Sequence, residues 1–329
     1  MKNTNIAIVT PVYNDWDNVY PLIERIDRSL SGRDESVKVF IIDDYSLSGA
    51  DEFRQNCRHQ AFSNISQISI LKLNRNMGHQ GAIVIGLCHV VINECADGIV
   101  IMDADGEDRP EDIVQLLDML DQSDHRAMVF ARRRKRKEKL WFRTMYSLFK
   151  VLHYLLTGHT MDFGNFSAIP GTMAESLISF HELWNHYPAT AVKSRMPLLK
   201  ISCDKGRRIG GDSKMSVTAL LLHGLGSIAV FAPVVGTRML LVFSGFTLLF
   251  VAGILCIFGI RFFTALAIPG WATYTTGILG LLIFQSLSLS LLFIFFILNS
   301  RNPSQSVPKQ NYQLFIEDIQ KAWSRDETV

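Results

Sequence analysis

Along residues 1–131, short apolar runs alternate with segments whose apolar positions recur every three or four residues. The runs Ile6–Thr10, Val37–Ile42, Ile68–Leu73, Gly98–Met102 and Ala127–Ala131 predict strands. The segments Val19–Leu30, Ala50–His59, His79–Glu94 and Pro110–Leu120 predict helices, with Pro110 suited to a first helical position. Continuous apolar strands separated by crossover helices predict an α/β fold built on a parallel sheet covered on both faces. The pattern then changes. Leu140–Leu156 is amphipathic and carries Trp141, Phe142, Tyr146, Phe149 and Tyr154, while Met215–Phe231 is apolar with small residues. Both predict helices lying in a bilayer surface, near 140–157 and 215–232. Met239–Ile260 and Trp271–Leu298 hold no charge at all, and each exceeds the roughly 20 residues that cross a hydrocarbon core. Their link, Arg261–Gly270, is short and contains Pro269-Gly270, which predicts a hairpin of antiparallel spans. Three segments follow: 1–235 as a folded domain, 236–300 as a transmembrane hairpin with spans about 239–260 and 271–298, and 301–329 as a polar tail. A short helix is expected near Tyr312–Trp323.

Composition sharpens this division. The chain has 329 residues, 19% charged and 48% hydrophobic, with mean hydropathy +0.17. That average hides two parts, because the single Asp, Glu, Lys or Arg between Met239 and Ser300 is Arg261. A wholly soluble protein, a disordered chain, a disulfide scaffold and a many-span transporter are excluded. Residues 1–125 hold 10 Lys+Arg against 21 Asp+Glu, so the remainder is strongly basic. Seven of the eight residues from Arg132 to Lys139 are basic. A basic run leading into an aromatic helix suits an anionic membrane surface, where each cation contributes about 1 kcal/mol. Nucleic acid is the rival partner for such a run, and the aromatic helix weighs against it. Five cysteines in no metal or CxxC spacing fit reduced thiols. No leader is seen before the first strand, and the hairpin link carries only Arg261 against Arg238, Arg301 and Lys309 on the outer flanks, so an integral, multi-pass protein of the cytoplasmic or inner membrane is expected, its folded domain in the cytosol.

The chemistry concentrates at strand ends. Asp103-Ala104-Asp105-Gly106-Glu107-Asp108 follows an apolar strand and precedes a Pro-started helix. Several carboxylates so close repel one another unless a cation sits among them. Oxygen-rich, histidine-free ligation suits Mg²⁺ or Mn²⁺ bound together with substrate phosphates. Asp43-Asp44 ends the second strand, and ligands of open α/β sheets bind outside such carboxyl ends. The first strand runs into Thr10-Pro11-Val12-Tyr13-Asn14 and the third into Asn74-Arg75-Asn76-Met77-Gly78. Tyr13 can stack on a base.

Taken in order, Thr-Pro-Val-Tyr-Asn, Ile-Asp-Asp-x-Ser, Arg-Asn-x-Gly-x-x-x-Ala and Met-Asp-Ala-Asp-x-x-Asp-x-Pro-Glu resemble the family 2 inverting glycosyltransferases. Within them the chain is similar to the polyprenyl-phosphate type, the relatives of dolichol-phosphate mannose synthase and the bactoprenol glucosyltransferases. The resemblance covers about residues 5–235. It implies a glycosyltransferase A-type, Rossmann-like mixed sheet with interfacial helices and a C-terminal hairpin. It implies transfer of a sugar, with inversion, from a nucleotide-sugar to an undecaprenyl or dolichyl phosphate, with UDP-glucose as the default donor and self-association among its relatives. Residue by residue, Pro11, Tyr13, Asp44, Asn76 and Asp103 would bind the nucleotide-sugar. Asp103, Asp105 and Glu107 would hold the metal, and Asp105 and Arg132 would serve catalysis. Arg207, Arg208 and Lys214, the last in a Gly-Asp-Ser-Lys stretch like the family's Gly-Glu-Ser-Lys, would meet the phosphate of the sugar-accepting lipid.

Two stretches depart from the family. Its Asp-Asp-Gly-Ser reads Asp43-Asp44-Tyr45-Ser46 here, which predicts loss of a tight glycine turn. Its Gly-Asp-Phe-Arg reads Gly164-Asn165-Phe166-Ser167, which removes a carboxylate and an arginine. A phosphate monoester is largely ionised at pH 7 and needs no base, so the departure favours a phosphate as sugar recipient. Transfer to a hydroxyl of a lipid-linked glycan, and non-catalytic binding of a nucleotide-sugar, are the alternatives.

Overall fold

The computed structural model describes residues 4–58, 60–133, 140–210, 217–264, 270–300 and 306–325. Eight strands form one mixed sheet: β1 (Asn5–Val12), β2 (Ser36–Asp43), β3 (Ile65–Leu73), β4 (Gly98–Ile101), β5 (Met128–Arg133), β6 (Ser167–Pro170), β7 (Leu198–Cys203) and β8 (Ile316–Ser324). Their order across the sheet is β7-β5-β6-β4-β1-β2-β3-β8. β1 pairs in parallel with β2 and β4, and β2 with β3, whereas β6 and β8 run antiparallel to their neighbours. The carboxyl ends of β1 to β4 therefore lie along one edge.

Strand alternation sorts the core into two layers. Ile6 and Ile8 of β1 face a layer with α1 (Val19–Ser29), α2 (Ala50–Arg58) and α4 (Asp112–Gln122). Ala7 and Val9 face the other, with α3 (Gly78–Asn93), α6 (Gly171–Leu177) and α7 (Tyr187–Lys193). Both faces of β1 are covered, which is why the strand reads as an unbroken apolar run. All residues from Gly81 to Val90 of α3 are buried, as expected of a helix that is apolar all round. Gly86 lets α3 settle onto the sheet, since a Cβ there would lie 2.6 Å from Val9 Cγ1 and 2.7 Å from Ile42 Cγ1.

The predicted strands and helices of residues 1–131 are present with ends shifted by a few residues. One boundary differs in kind: Pro110 lies before α4, which begins at Asp112 with Glu111 as its cap. The short strands β6 and β7 were too brief, and β7 too exposed, to stand out in the pattern. The larger difference is at the C-terminus, where residues expected to form a helix near Tyr312–Trp323 form β8 instead. The open edge of β3 needs hydrogen-bond partners, and β8 supplies them in register from Leu73↔Ile316 to Ile68↔Trp323. Trp323 is buried edge-on against Phe62 at 5.1 Å, and its Nε1 donates to the Gln60 carbonyl at 2.9 Å.

The chain divides into two compact units, Met1–Met145, Met161–Val230 and Ser306–Val329 in one and Tyr146–Thr160 with Phe231–Gln305 in the other. This differs from the linear division at 235 and 301. The second unit takes the later turns of α5 (Leu140–Thr157), while the C-terminal residues join the sheet. The helix α8 (Val217–Ala229) belongs to the first unit, and α9 (Ala232–Phe263) and α10 (Trp271–Ser300) to the second. The last two have 32 and 30 residues, long and apolar enough to cross a membrane. They pack in opposite senses: Phe243 stacks on Phe293, Thr247 donates to Ser286 Oγ at 3.0 Å, and Gly253 faces Leu279. Arg238 of α9 donates to the carbonyls of Tyr154 and Leu155 at 3.3 and 2.7 Å, satisfying the C-terminal end of α5.

Trp323→Ala removes a buried aromatic ring and its hydrogen bond. It should destabilise the sheet by about 3–5 kcal/mol, seen as a lower unfolding midpoint of the detergent-solubilised chain. An unchanged midpoint would mean that β8 does not complete the sheet.

Candidate functional site

Four loops meet at the carboxyl edge of β1 to β4. After β2, Asp44 is almost wholly buried. Its backbone N–H donates to Val12, and its Oδ1 accepts from Met77 N at 2.6 Å. Burial raises its pKa to about 6, which the bonds from Met77 and Gly78 only partly oppose. Tyr45 follows with φ +67°. The turn expected to be lost with the family's glycine is thus kept by a tyrosine in a left-handed conformation, at a cost of about 1–2 kcal/mol. Ser46 N donates to Asp43 Oδ1, and Asn14 and residues 46–47 bond across to tie the β1 loop to the β2 loop. Tyr13 and Tyr45 stand half exposed, at 50% and 48%. Pro11 is buried within β1, in register with Ile42, so it shapes the strand end without offering a surface. Asn76 holds its own turn, accepting from Gly78 N and donating to the Asp44 carbonyl.

After β4 comes the acidic loop. Asp108 folds back so that its Oδ2 accepts from Asp103 N at 3.0 Å, and Asp105 Oδ1 accepts from Glu107 N at 2.9 Å. Burial and the neighbouring Asp103 charge push Asp108 up to about 7, and burial also raises Asp105. Burial acts on Asp103 in the same sense, yet His79 and Arg133 outweigh it and lower its pKa. Asp103 Oδ1 is buried without an aligned hydrogen-bond donor and lies 3.1 Å from His79 Nε2. For His79, burial opposes the charged ring, but the same carboxylate prevails and raises its pKa.

Cations compensate this loop. Arg133 reaches Glu107 and Asp108 at 3.1 and 3.2 Å, and Lys205 reaches Glu107 at 2.9 Å. Arg208 pairs with Asp15 at 3.2 Å and Asp105 at 3.4 Å. Arg132, expected to face the phosphates, turns away and pairs with Asp162 at 3.2 Å, a partner shared with Lys200. Strand parity explains the exchange: Arg133 shares a face with Val129 and Ala131, which pack in the α4 layer beneath the acidic loop. Period-two counting along β5 could have found it. Arg207 is exposed, and Lys214 lies outside the described residues. Glu107, with two cations on one carboxylate oxygen, does not join Asp103 and Asp105 in a cage. Among the described residues no three His, Cys, Asp or Glu side chains converge to hold a metal alone.

The sequence also passed over a polar system beside Asp103. Asn165 Nδ2 lies 2.9 Å from His79 Nε2, and Gln80 Nε2 donates to Asn165 Oδ1 at 3.1 Å. Gln80 Oε1 in turn accepts from Tyr187 N at 2.7 Å. Ser167, where the family has arginine, is buried and bonded to the Tyr187 hydroxyl at 2.7 Å. The family stretch has become a packing element.

Residues 7–180 match the model of the glycosyl transferase family 2 domain, more than half of the chain. The chain belongs to glycosyl transferase family 2. Among curated proteins, this family 2 chain is 29% identical over 218 residues to the undecaprenyl-phosphate 4-deoxy-4-formamido-L-arabinose transferase of Salmonella choleraesuis. That match covers 66% of this chain and 64% of the relative, just under two-thirds of the relative's own length. Among solved structures, glucosyl-3-phosphoglycerate synthase from Mycobacterium tuberculosis in complex with UDP aligns with TM-score 0.47 and 13% identity, covering 71% of this chain and 80% of that one. S. aureus TarS residues 1–349 in complex with UDP aligns with TM-score 0.44 and 12% identity, covering 72% and 66%.

In this family 2 domain, Asp44 has a measurable signature. Its folded pKa is raised, so ionising it costs stability as pH rises from the unfolded value near 4 through about 6. Asp44→Asn keeps an oxygen for Met77 N and removes that cost. The variant should gain about 1–3 kcal/mol relative to wild type at pH 7.5 and little at pH 4.5, read from unfolding midpoints. Equal effects at both pH values would sink the assignment of the cost to ionisation.

Proposed function

We propose that the chain transfers a sugar from a nucleotide-sugar to a polyprenyl phosphate, with inversion, at the carboxyl edge of β1 to β4. What supports this is the pairing, in a family 2 domain, of a half-buried Asp103 whose Oδ1 has no aligned hydrogen-bond donor with a chain that also carries two long apolar helices. The Salmonella choleraesuis relative is named an undecaprenyl-phosphate 4-deoxy-4-formamido-L-arabinose transferase, and the same class of lipid is taken here as sugar recipient. The helices α9 and α10 then cross the bilayer and keep the domain where such a lipid presents its phosphate.

A divalent cation fits the acidic loop. Among the described residues Asp103 Oδ1 lacks an aligned donor, Asp105 has a single cation at 3.4 Å, and few protein ligands converge, which suits Mg²⁺ or Mn²⁺ completed by substrate phosphates. Asp103 and Asp105 would hold it, and bound there it would stabilise negative charge on the departing diphosphate. Asp44 and the half-exposed Tyr13 bind ribose and base. Arg133 and Lys205 hold Glu107 and Asp108 in place and keep the loop from repelling its own substrate. No carboxylate stands at 165 to act as a base, and a phosphate monoester, with a second pKa of about 6, needs none. UDP-glucose is the first donor to try.

The test is direct. Membranes containing the chain, given polyprenyl phosphate and a panel of nucleotide-sugars, should yield a new glycolipid by mass, and this product should vanish with a chelator. Asp105→Ala should reduce transfer at least 100-fold. Full transfer by Asp105→Ala would overturn the metal seat, and absence of any glycolipid across the panel would overturn the proposed reaction.

A further inference from the structure

Buried Asp44 takes its position from the loop between β3 and α3. Met77 N–H donates to Asp44 Oδ1 at 2.6 Å, and Asn76 Nδ2 donates to the Asp44 carbonyl at 3.3 Å. Burial disfavours the Asp44 charge, and the N–H groups of Met77 and Gly78 oppose that penalty. The carboxylate is therefore placed only as well as its loop is placed. Residues 74–76 of that loop are exposed. A segment with so little buried surface of its own belongs to the low-stability part of a fold unless something else ties it down.

What ties it down is the segment just before β8, encoded after both long apolar helices. Asn74 N–H donates to the Phe315 carbonyl at 2.9 Å, one bond beyond the Leu73↔Ile316 pair. Asn74 Nδ2 donates to the Leu314 carbonyl at 2.8 Å. The Arg75 guanidinium lies over the Phe315 ring, 5.0 Å from its centre, where the negative ring face attracts a cation. Arg75 Nε meets Met77 Sδ at 3.4 Å. The Phe315 ring is anchored in turn. Trp184 packs against it at 5.5 Å in a T-shaped pair, and Trp184 Nε1 donates to the Ser306 carbonyl at 3.1 Å. Tyr312 is buried, and its hydroxyl accepts from Asn93 Nδ2 of α3 at 3.1 Å. Met77, Trp184 and Phe315 all pack against the α3 layer of the core. Contacts thus run unbroken from Trp184 through Phe315, Arg75 and Met77 to Asp44.

We propose that Phe315 is a positioning residue for the nucleotide site: with the Leu314 and Phe315 carbonyls it clamps residues 74–77, and the clamped loop aims Asp44 at the ribose hydroxyls of the nucleotide-sugar. This rests on the nucleotide-sugar reading above. Recognition of the ribose then depends on chain 240 residues beyond Asn74. A binding group keeps its geometry only when the residues behind it are themselves locked, and here the lock is encoded past the hairpin.

The experiment reads recognition of the ribose, which a general loss of folding does not single out. The full chain in detergent, with Mn²⁺, is titrated with UDP and GDP and with the 2′,3′-dideoxy form of each, and the nucleotide that wild type binds more tightly is followed. Wild type should prefer the ribonucleotide to its dideoxy form by at least about 10-fold, as expected for hydrogen bonds to a charged group. Phe315→Leu stays apolar and deletes the ring under Arg75. Asn74→Ala, at an exposed position, deletes the side-chain bond to Leu314. Each should weaken ribonucleotide binding about 3- to 10-fold and leave the dideoxy form within about twofold. Phe315→Tyr keeps the ring and should bind like wild type. Equal losses for both forms would show that the segment supports the fold without aiming Asp44, and would overturn the clamp. If wild type binds neither nucleotide, or has no preference for the ribose hydroxyls, the nucleotide reading of Asp44 falls and the clamp with it. If wild type has the preference and the variants keep it in full, the clamp alone falls.

Discussion

Charge compensation at the end of β4 is the constraint around which the head of this protein is arranged. Four carboxylates from Asp103 to Asp108 occupy a short loop at a sheet edge, with Asp108 buried outright. Desolvation on that scale has to be met by cations or by protonation. Arg133 arrives from β5, Lys205 and Arg208 from the segment after β7, and His79 from the start of α3. Elements distant in the chain are thereby drawn to one edge. The loop remains short of one aligned donor at Asp103 Oδ1, a deficit of the kind a cation would meet.

The parts of the molecule legible in the sequence are those governed by local pattern. β1 to β5 and α1 to α4 follow from apolar period and strand-end chemistry, and α9 and α10 from uninterrupted apolar length. The rest depends on partners far along the chain. β8 carries a weak helical pattern, but an unpaired sheet edge outweighs local preference. β6 has four residues and no pattern to read. Tyr45 keeps a left-handed turn that composition argues against, because Asp43 and Asn14 bond on either side of it.

The site was legible to a similar depth. The Asp-x-Asp loop and Asp44 lie where their motifs put them. Arg132 and Arg133 differ by one position and hence by one face of β5, a distinction that motif matching does not make and strand parity does. His79, Gln80, Asn165 and Tyr187 come from three separate segments, so no linear spacing brings them together. A changed motif, Gly-Asn-Phe-Ser, was visible as a departure; its meaning needed the contacts that join Asn165 to His79 and Ser167 to Tyr187.

The position of β8 has a consequence for biosynthesis. The strand that closes the edge of β3 is encoded after both long apolar helices. During synthesis the ribosome releases β1 to β7 first, then α9 and α10, and β8 only after both. Until then the nascent sheet has an unsatisfied border along β3, open to chaperones or to mispairing. Completion of the head therefore waits on passage of the hairpin out of the ribosome, so order of emergence couples membrane insertion to final folding of the catalytic end.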